Sequence, residues 1–172
     1  MALLCPAQPA AELTPYDVEA AYLYNFGKFV RWPDAPAAAT APFTICILGE
    51  DNFGTKLDSL IANETMQGRS IVAKRLSTIA AADACQILYL GDSEAPRLAK
   101  DIAALQQKPI LTVSGMPDFI QHGGMIGFVL QNKRVRFAVN LPNAERNGLN
   151  LSSELLKVAV YVNTKTSPEE KP

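Results

Sequence analysis

Three short apolar runs, FTICIL (43–48), CQILYL (85–90) and PILTVS (109–114), each end on a glycine: Gly49, Gly91 and Gly115. Runs this short and this apolar read as strands buried on both faces. Between them lie a strand pattern at 70–76, a helix pattern at 53–63, and a helix at 95–107 with Leu98, Ile102 and Leu105 in register. A short helix is expected near Pro117–Gln121. Strands alternating with helices predict a parallel sheet covered on both faces. The pattern changes after His122. MIGFVL (125–130) and RVRFAVN (134–140) flank Gln131-Asn132-Lys133 as hairpin arms would, with Val135, Phe137 and Val139 alternating with Arg134, Arg136 and Ala138. A last helix starts at Ser152-Ser153 and carries Leu155, Leu156, Ala159 and Val162. The expected fold is α/β and three-layered: a mostly parallel sheet with a C-terminal antiparallel hairpin and flanking helices.

Ahead of the sheet, Thr14-Pro15-Tyr16-Asp17 marks a helix start, with a hydroxyl at N-cap, proline at N1 and an acid at N3. The helix runs into YLYNFGKFVRWP (22–33), which holds the only tryptophan, Trp32. Tyr22, Phe26, Phe29 and Val30 fall on one stripe, as a core-facing helix requires. Tyr24, Lys28, Arg31 and Trp32 lie off it and are candidates for a dimer or partner surface. Pro33 biases Trp32 out of the helical region, so the helix should stop there. Residues 35–42 read as a linker. Residues 14–163 then form one domain, with a flexible tail at 164–172. Residues 1–13 are the remnant of an export signal or a disordered tail: a short apolar piece leads into small residues and prolines. Cys5 follows Leu4, where a lipoprotein attachment site needs a small residue.

Composition excludes several function classes. A net charge of −1 gives no basis for nucleic-acid binding, and no apolar run approaches the ~20 residues of a membrane span. With one histidine, His122, a multi-histidine metal site is ruled out, and no nucleophile-elbow sequence exists. Glu50 and Asp51 adjoin in sequence and so face different ways, giving no acid–base pair. No catalytic set, metal site or cofactor is expected, and the chain reads as no enzyme. The loop Gly49–Lys56 has the G-x4-G spacing of a phosphate loop, but Thr55 and Lys56 stand in reversed order, and Glu50 and Asp51 would repel phosphate. It reads as a strand-to-helix turn.

Cys46 and Cys85 each fall in an expected core strand. In a 2-1-3 strand order those strands are neighbours, ~4.8 Å apart. A disulfide is then open if the register brings the two level; two buried free thiols are the other reading.

These pieces in this order resemble the YfiR family of small secreted bacterial proteins. The resemblance rests on AAYLYNFGKFVRWP (20–33), FTICILG (43–49), Gly68-Arg69, CQILYLG (85–91), PILTVSG (109–115), GGMIGFV (123–129), RVRFAVNL (134–141) and GLNLSSELLKVA (148–159). It implies a periplasmic, non-enzymatic regulator that represses an inner-membrane diguanylate cyclase (YfiN-like) by binding its periplasmic region. Lower cyclic-di-GMP and less biofilm follow. A YfiB-like outer-membrane lipoprotein would relieve the repression, and the family pattern implies a homodimer. It also implies a disulfide between Cys46 and Cys85. Ile120 and Gly127 stand where a second bridge would be, and Asn150 and Ser152 replace charged residues of a ligand pocket before the last helix. The exposed face around Arg134 and Arg136 and the last helix are the expected partner contacts. A periplasmic small-ligand sensor coupled to a membrane sensor kinase is the alternative. Its pocket would lie near Gly49, Gly91 and Ser114, or near Asn150 and Ser152.

Overall fold

The computed structural model describes residue 7 and residues 12–33 and 40–165. Most of the export-signal remnant, the 35–42 linker and the C-terminal tail lie outside the described residues.

Helix α1 (Pro15–Phe29) opens with a capping box: the Thr14 hydroxyl accepts from the Asp17 N–H, and the Asp17 carboxylate accepts from the Thr14 N–H at 2.7 Å. It ends at Phe29, three residues earlier than the proline suggested. Val30–Arg31 instead form β1, paired antiparallel with β9 (Asn150–Leu151). That pairing draws on residues far along the chain, and it satisfies backbone groups that a longer helix would have used.

Strands β2 (Phe43–Leu48), β4 (Arg69–Leu76), β5 (Ile87–Leu90), β6 (Leu111–Ser114) and β7 (Ile126–Gln131) run parallel. With β3 (Thr65–Met66), β8 (Arg134–Asn140) and β10 (Tyr161–Asn163), the large sheet has the order β10-β8-β7-β6-β5-β2-β4-β3, which contains the expected 2-1-3 arrangement as β4-β2-β5. Two-residue β3 pairs antiparallel with β4 at one edge. Strand β8 pairs antiparallel with β7 as anticipated. The turn needs only Asn132 and Lys133, at φ 50° and 63°, because two left-handed residues match the twist of the arms; Gln131 belongs to β7.

Alternation along β2 divides the core. Phe43, Ile45 and Ile47 face α1, α2 (Thr55–Ile61) and α5 (Ser153–Val158); Cys46 and Leu48 face α3 (Leu98–Ala104) and the 3-10 helices before and after β5. On the first face Phe26 is fully buried, stacked near Phe128 at 6.0 Å and edge-on to Phe137 at 5.2 Å. Burying such a ring contributes roughly 1.5–3 kcal/mol. Of the expected stripe, Phe26 and Val30 are core, and Tyr22 and Phe29 pack half-buried against it; the buried face of α1 is Glu19, Ala20, Leu23, Phe26 and Gly27.

Two expectations need correction, and one helix was not expected. Residues 117–121 form turns and no helix, because Asp118 adopts φ 58° and breaks the helical path. The last helix ends at Val158. Ala159 is its cap, and Val162 belongs to β10 (Tyr161–Asn163), which returns parallel to β8 and gives the hairpin a further neighbour. The sequence reading also passed over α4 (Leu141–Arg146), although Asn140 at N-cap and the following proline are its start signals.

Candidate functional site

Cys46 and Cys85 form a disulfide, with 5.9 Å between their Cα atoms. The expected route was different. Cys46 lies level with Leu88, and Cys85 precedes β5, capping the 3-10 helix Ile79–Ala84. The chain enters β5 by folding over the sheet face, and the bridge pins that entry among Leu48, Leu88 and Ala82. Both sulfurs' residues are buried, at 0% and 3% exposure. Ile120 and Gly127, the positions of the family's second bridge, are neighbours: a Cβ on Gly127 would lie 3.4 Å from Ile120 Cγ2.

Trp32 is half-buried. Its indole N–H donates to the Gln86 carbonyl at 3.1 Å, and its ring meets Phe43 edge-on at 5.2 Å. The rest of it lines a cleft of about 480 Å3 with Arg69, Asp83, Gln86 and Lys108. Asn150 sits in β9 opposite Arg31 and is exposed, and Ser152 caps α5 by accepting from the Leu155 N–H at 3.2 Å. The structure thus separates Trp32 from the arginines of β8 and employs Ser152 locally.

Arg134 is exposed at the hairpin, and Arg136 donates to the Val158 carbonyl at 3.3 Å. Register places Arg136 beside Val129, and Ala138 beside Tyr161. Val129, Ala138 and Tyr161 lie on the sheet face opposite α1, against Phe119 and Met116, while Arg134 and Arg136 also line a cleft with Pro15, Val18 and Tyr22 of α1. Val129 and Tyr161 are 38% and 55% exposed, so apolar surface lies beside the Arg136 cation at this edge. Such mixed surface suits a protein partner.

The crevice at the carboxyl ends of β2 and β5, the usual ligand position in a doubly wound sheet, is closed. Gly91 lies against the Glu50 backbone, and the Glu50 N–H donates to Ser93 Oγ at 2.8 Å. Asp51 accepts from the N–H groups of Phe53 and Gly54 at 2.8 and 3.3 Å, leaving no cradle of free donors for phosphate. Lys56 is committed to Thr14 and Asp17, at 2.7 and 3.1 Å. His122 is exposed in its turn, with Nδ1 donating to the Asp118 carbonyl at 2.8 Å. Among the described residues no acidic, histidine or cysteine cluster could hold a metal ion.

One strand further along, a cleft of about 220 Å3 opens between Pro15, Tyr16, Glu19 and Gly115 on one side and Phe128, Val129, Leu130 and Val135 on the other. Glu19 is only 8% exposed, and its Oε2 accepts from the Tyr89 hydroxyl at 3.2 Å. Burial pushes its carboxyl up to about 7, opposed by the Tyr89 hydrogen bond and aided by Asp92. Burial and the Glu19 carboxyl likewise raise the Tyr89 phenol. The sequence reading missed Glu19. The signal was there: Glu19, Leu23 and Phe26 follow the i, i+4, i+7 spacing of the buried face.

Two solved structures share this architecture. A conserved domain protein from Vibrio cholerae matches with a TM-score of 0.58 and 13% identity, covering 89% of this chain and 62% of its own. The ABC domain in complex with L-Trp from Streptococcus pneumonia matches at 0.52 and 14% identity, covering 87% and 62%. At these identities the likeness is one of fold, and the chain spans about three-fifths of either protein. No curated protein matches the sequence. The YfiR/HmsC-like family model matches residues 16–160, from the first turn of α1 to the start of β10. No described helix is long and apolar enough to cross a membrane, and the buried disulfide suits an oxidising compartment. The chain belongs to the YfiR/HmsC-like family.

Proposed function

We propose that this protein is exported to the periplasm and there represses a YfiN-like inner-membrane diguanylate cyclase by binding its periplasmic region. The observation that carries this reading is the family match across residues 16–160. The repressor acts as a homodimer, and a YfiB-like outer-membrane lipoprotein releases the cyclase. Repression needs no chemistry. A regulator that binds one conformation of its receptor a few kcal/mol more tightly shifts the receptor population almost completely. The face bearing Val129, Arg136 and Tyr161 is the partner contact, supported by its exposed apolar area beside a cation.

Deleting the gene should raise cellular cyclic-di-GMP and biofilm mass, and a periplasmic copy should restore both. Unchanged cyclic-di-GMP in cells shown to express the protein overturns the reading.

A further inference from the structure

We propose that the cleft between the first turn of α1 and the β7–β8 hairpin binds a small ligand carrying an ammonium group on a short apolar or aromatic body, with Glu19 as its counter-ion. Glu19 is more than nine-tenths buried, and only Oε2 has a partner among the described residues. Oε1 faces Gly115, where a Cβ would lie 3.8 Å away. Gly115 has no left-handed φ, so the backbone does not demand glycine there; what its lack of a side chain provides is room beside the carboxylate. A mostly buried carboxylate with one protein hydrogen bond is poorly compensated, and its free Oε1 opens on the cleft, where a positive charge would stabilise it.

No such charge is supplied by the cleft itself, whose lining contains no lysine, arginine or histidine. The ionisable groups acting on Glu19 are Tyr89 from β5 and Asp92 from the turn after it; Tyr16, on the same helix, feels Glu19, Asp92 and Glu50. All of them are acidic or neutral. Lys133, Arg134 and Arg136 line the adjoining cleft across Pro15 and Val135, so a cation is drawn to the Glu19 end. Tyr16 and Phe128 give aromatic walls, which attract ammonium groups and apolar bodies alike. At about 220 Å3 the space falls below the ~300–1,000 Å3 of ordinary ligand pockets, which selects a small molecule or a single side chain.

Because the ionised carboxyl is the binding form, affinity should rise with pH until Glu19 is fully ionised. With its titration near pH 7, that means about tenfold weaker binding per pH unit below it. Proton uptake without a ligand is the competing account, in which Glu19 is simply a neutral buried acid.

Calorimetry on the whole purified protein separates these. The probes are phenethylamine, neutral 2-phenylethanol, phenylacetate, and Nα-acetyl-lysine methylamide as a mimic of a partner's lysine. Phenethylamine should bind at pH 8 at least tenfold more tightly than the alcohol, and phenylacetate should not bind. Preference for the lysine mimic would assign the site to a partner's side chain. Glu19→Gln should abolish the preference for amine over alcohol, and Gly115→Leu should remove binding by filling the space. Binding of neither amine overturns the proposal. So does equal affinity for amine and alcohol, or an amine affinity indifferent to Glu19→Gln. No cyclase is present in these measurements, so they succeed or fail apart from the regulatory reading.

Discussion

At the centre of the sheet every residue of β2, β5 and β6 is buried, whereas the hairpin half of β8 alternates, with Arg134 exposed and Arg136 half-buried beside buried Val135 and Phe137. The centre is covered on both faces: α1 with α2 on one side, α3 with its 3-10 neighbours and the disulfide on the other. The hairpin end is covered on one face by α1, through Tyr22 and Phe26 against Phe128 and Phe137, while Val129 and Tyr161 show on the other. This difference separates two tasks. A segment buried twice contributes stability and cannot touch a partner; a segment buried once contributes less and can. Substitutions should therefore divide cleanly, with large stability effects at the centre and small ones at the hairpin.

The disulfide gives the sharpest test at the centre. Replacing both Cys46 and Cys85 by alanine reopens a loop with a sequence separation of 39. The unfolded chain then regains entropy worth about 4 kcal/mol at 25 °C in the chain-entropy model. Urea unfolding should report a loss of that order. A loss below about 1 kcal/mol would mean that the packing of Leu48, Leu88 and Ala82 holds the entry to β5 unaided.

Glu19 lies at the boundary between the two regions. Its carboxyl is raised from 4.5 to about 7 in the folded protein, so the folded state holds the proton more firmly than the unfolded state between those values. Stability is therefore greater below pH 4.5 and is lost as pH rises towards 7 and beyond. The full shift corresponds to about 3 kcal/mol. Glu19→Gln should stabilise by up to about that amount at pH 8 and by almost nothing at pH 4. Thermal unfolding at the two pH values checks this, and a pH-independent effect would contradict it.

The same comparison explains what the sequence made legible. Central strands announce themselves by unbroken apolar runs, and their glycines mark their ends, so β2, β5 and β6 were readable within two residues. The cap of α1 was readable because it is local: Thr14 and Asp17 need no distant partner. Its far end was not, since β1 exists only through pairing with β9 across nearly the whole chain. Strand β10 was hidden similarly; Val162 suits a helix stripe as well as a strand, and only the neighbouring β8 decides. The disulfide partners were identifiable, but their geometry was not, because register and the fold-over at Cys85 are tertiary. Trp32 illustrates the converse. Placed off the helical stripe, it suggested surface, yet its indole N–H finds Gln86 and its ring finds Phe43.

A smaller effect is expected at the start of α1, where the helix that covers both regions begins. Thr14→Ala removes the hydroxyl that caps the Asp17 N–H, at a cost of about 1 kcal/mol. The Thr14 hydrogen bonds, chiefly, and then Lys56 hold the Asp17 carboxyl down at about 2, below its ordinary 3.8. Its contribution is therefore complete above pH 3.8 and fades as pH falls through 2. The difference between wild type and Thr14→Ala in chemical denaturation should shrink over that acid window. A constant difference would assign the cap's effect to the hydroxyl alone.

The smallest stability effect belongs to the hairpin's open face, and there the comparison can be broken outright. Val129 is 38% exposed and Arg136 lies beside it in register. Arg136→Glu places an acid on surface that meets water and should change stability by roughly 0.5 kcal/mol or less, apart from the lost bond to the Val158 carbonyl. Val129→Asp, at a residue that is 38% exposed, should cost about 1 kcal/mol. If this face holds the cyclase, both variants should fold and yet raise cyclic-di-GMP to the level of the gene deletion. Substitution of Arg69, on the cleft with Trp32 at the opposite side of the molecule's strand order, should leave repression intact. The reverse result, with repression lost at Arg69 and kept at Val129 and Arg136, would move the contact to the tryptophan cleft. A loss of several kcal/mol at Val129 would show instead that the open face is structural after all, and that the centre and the hairpin do not divide the work between them.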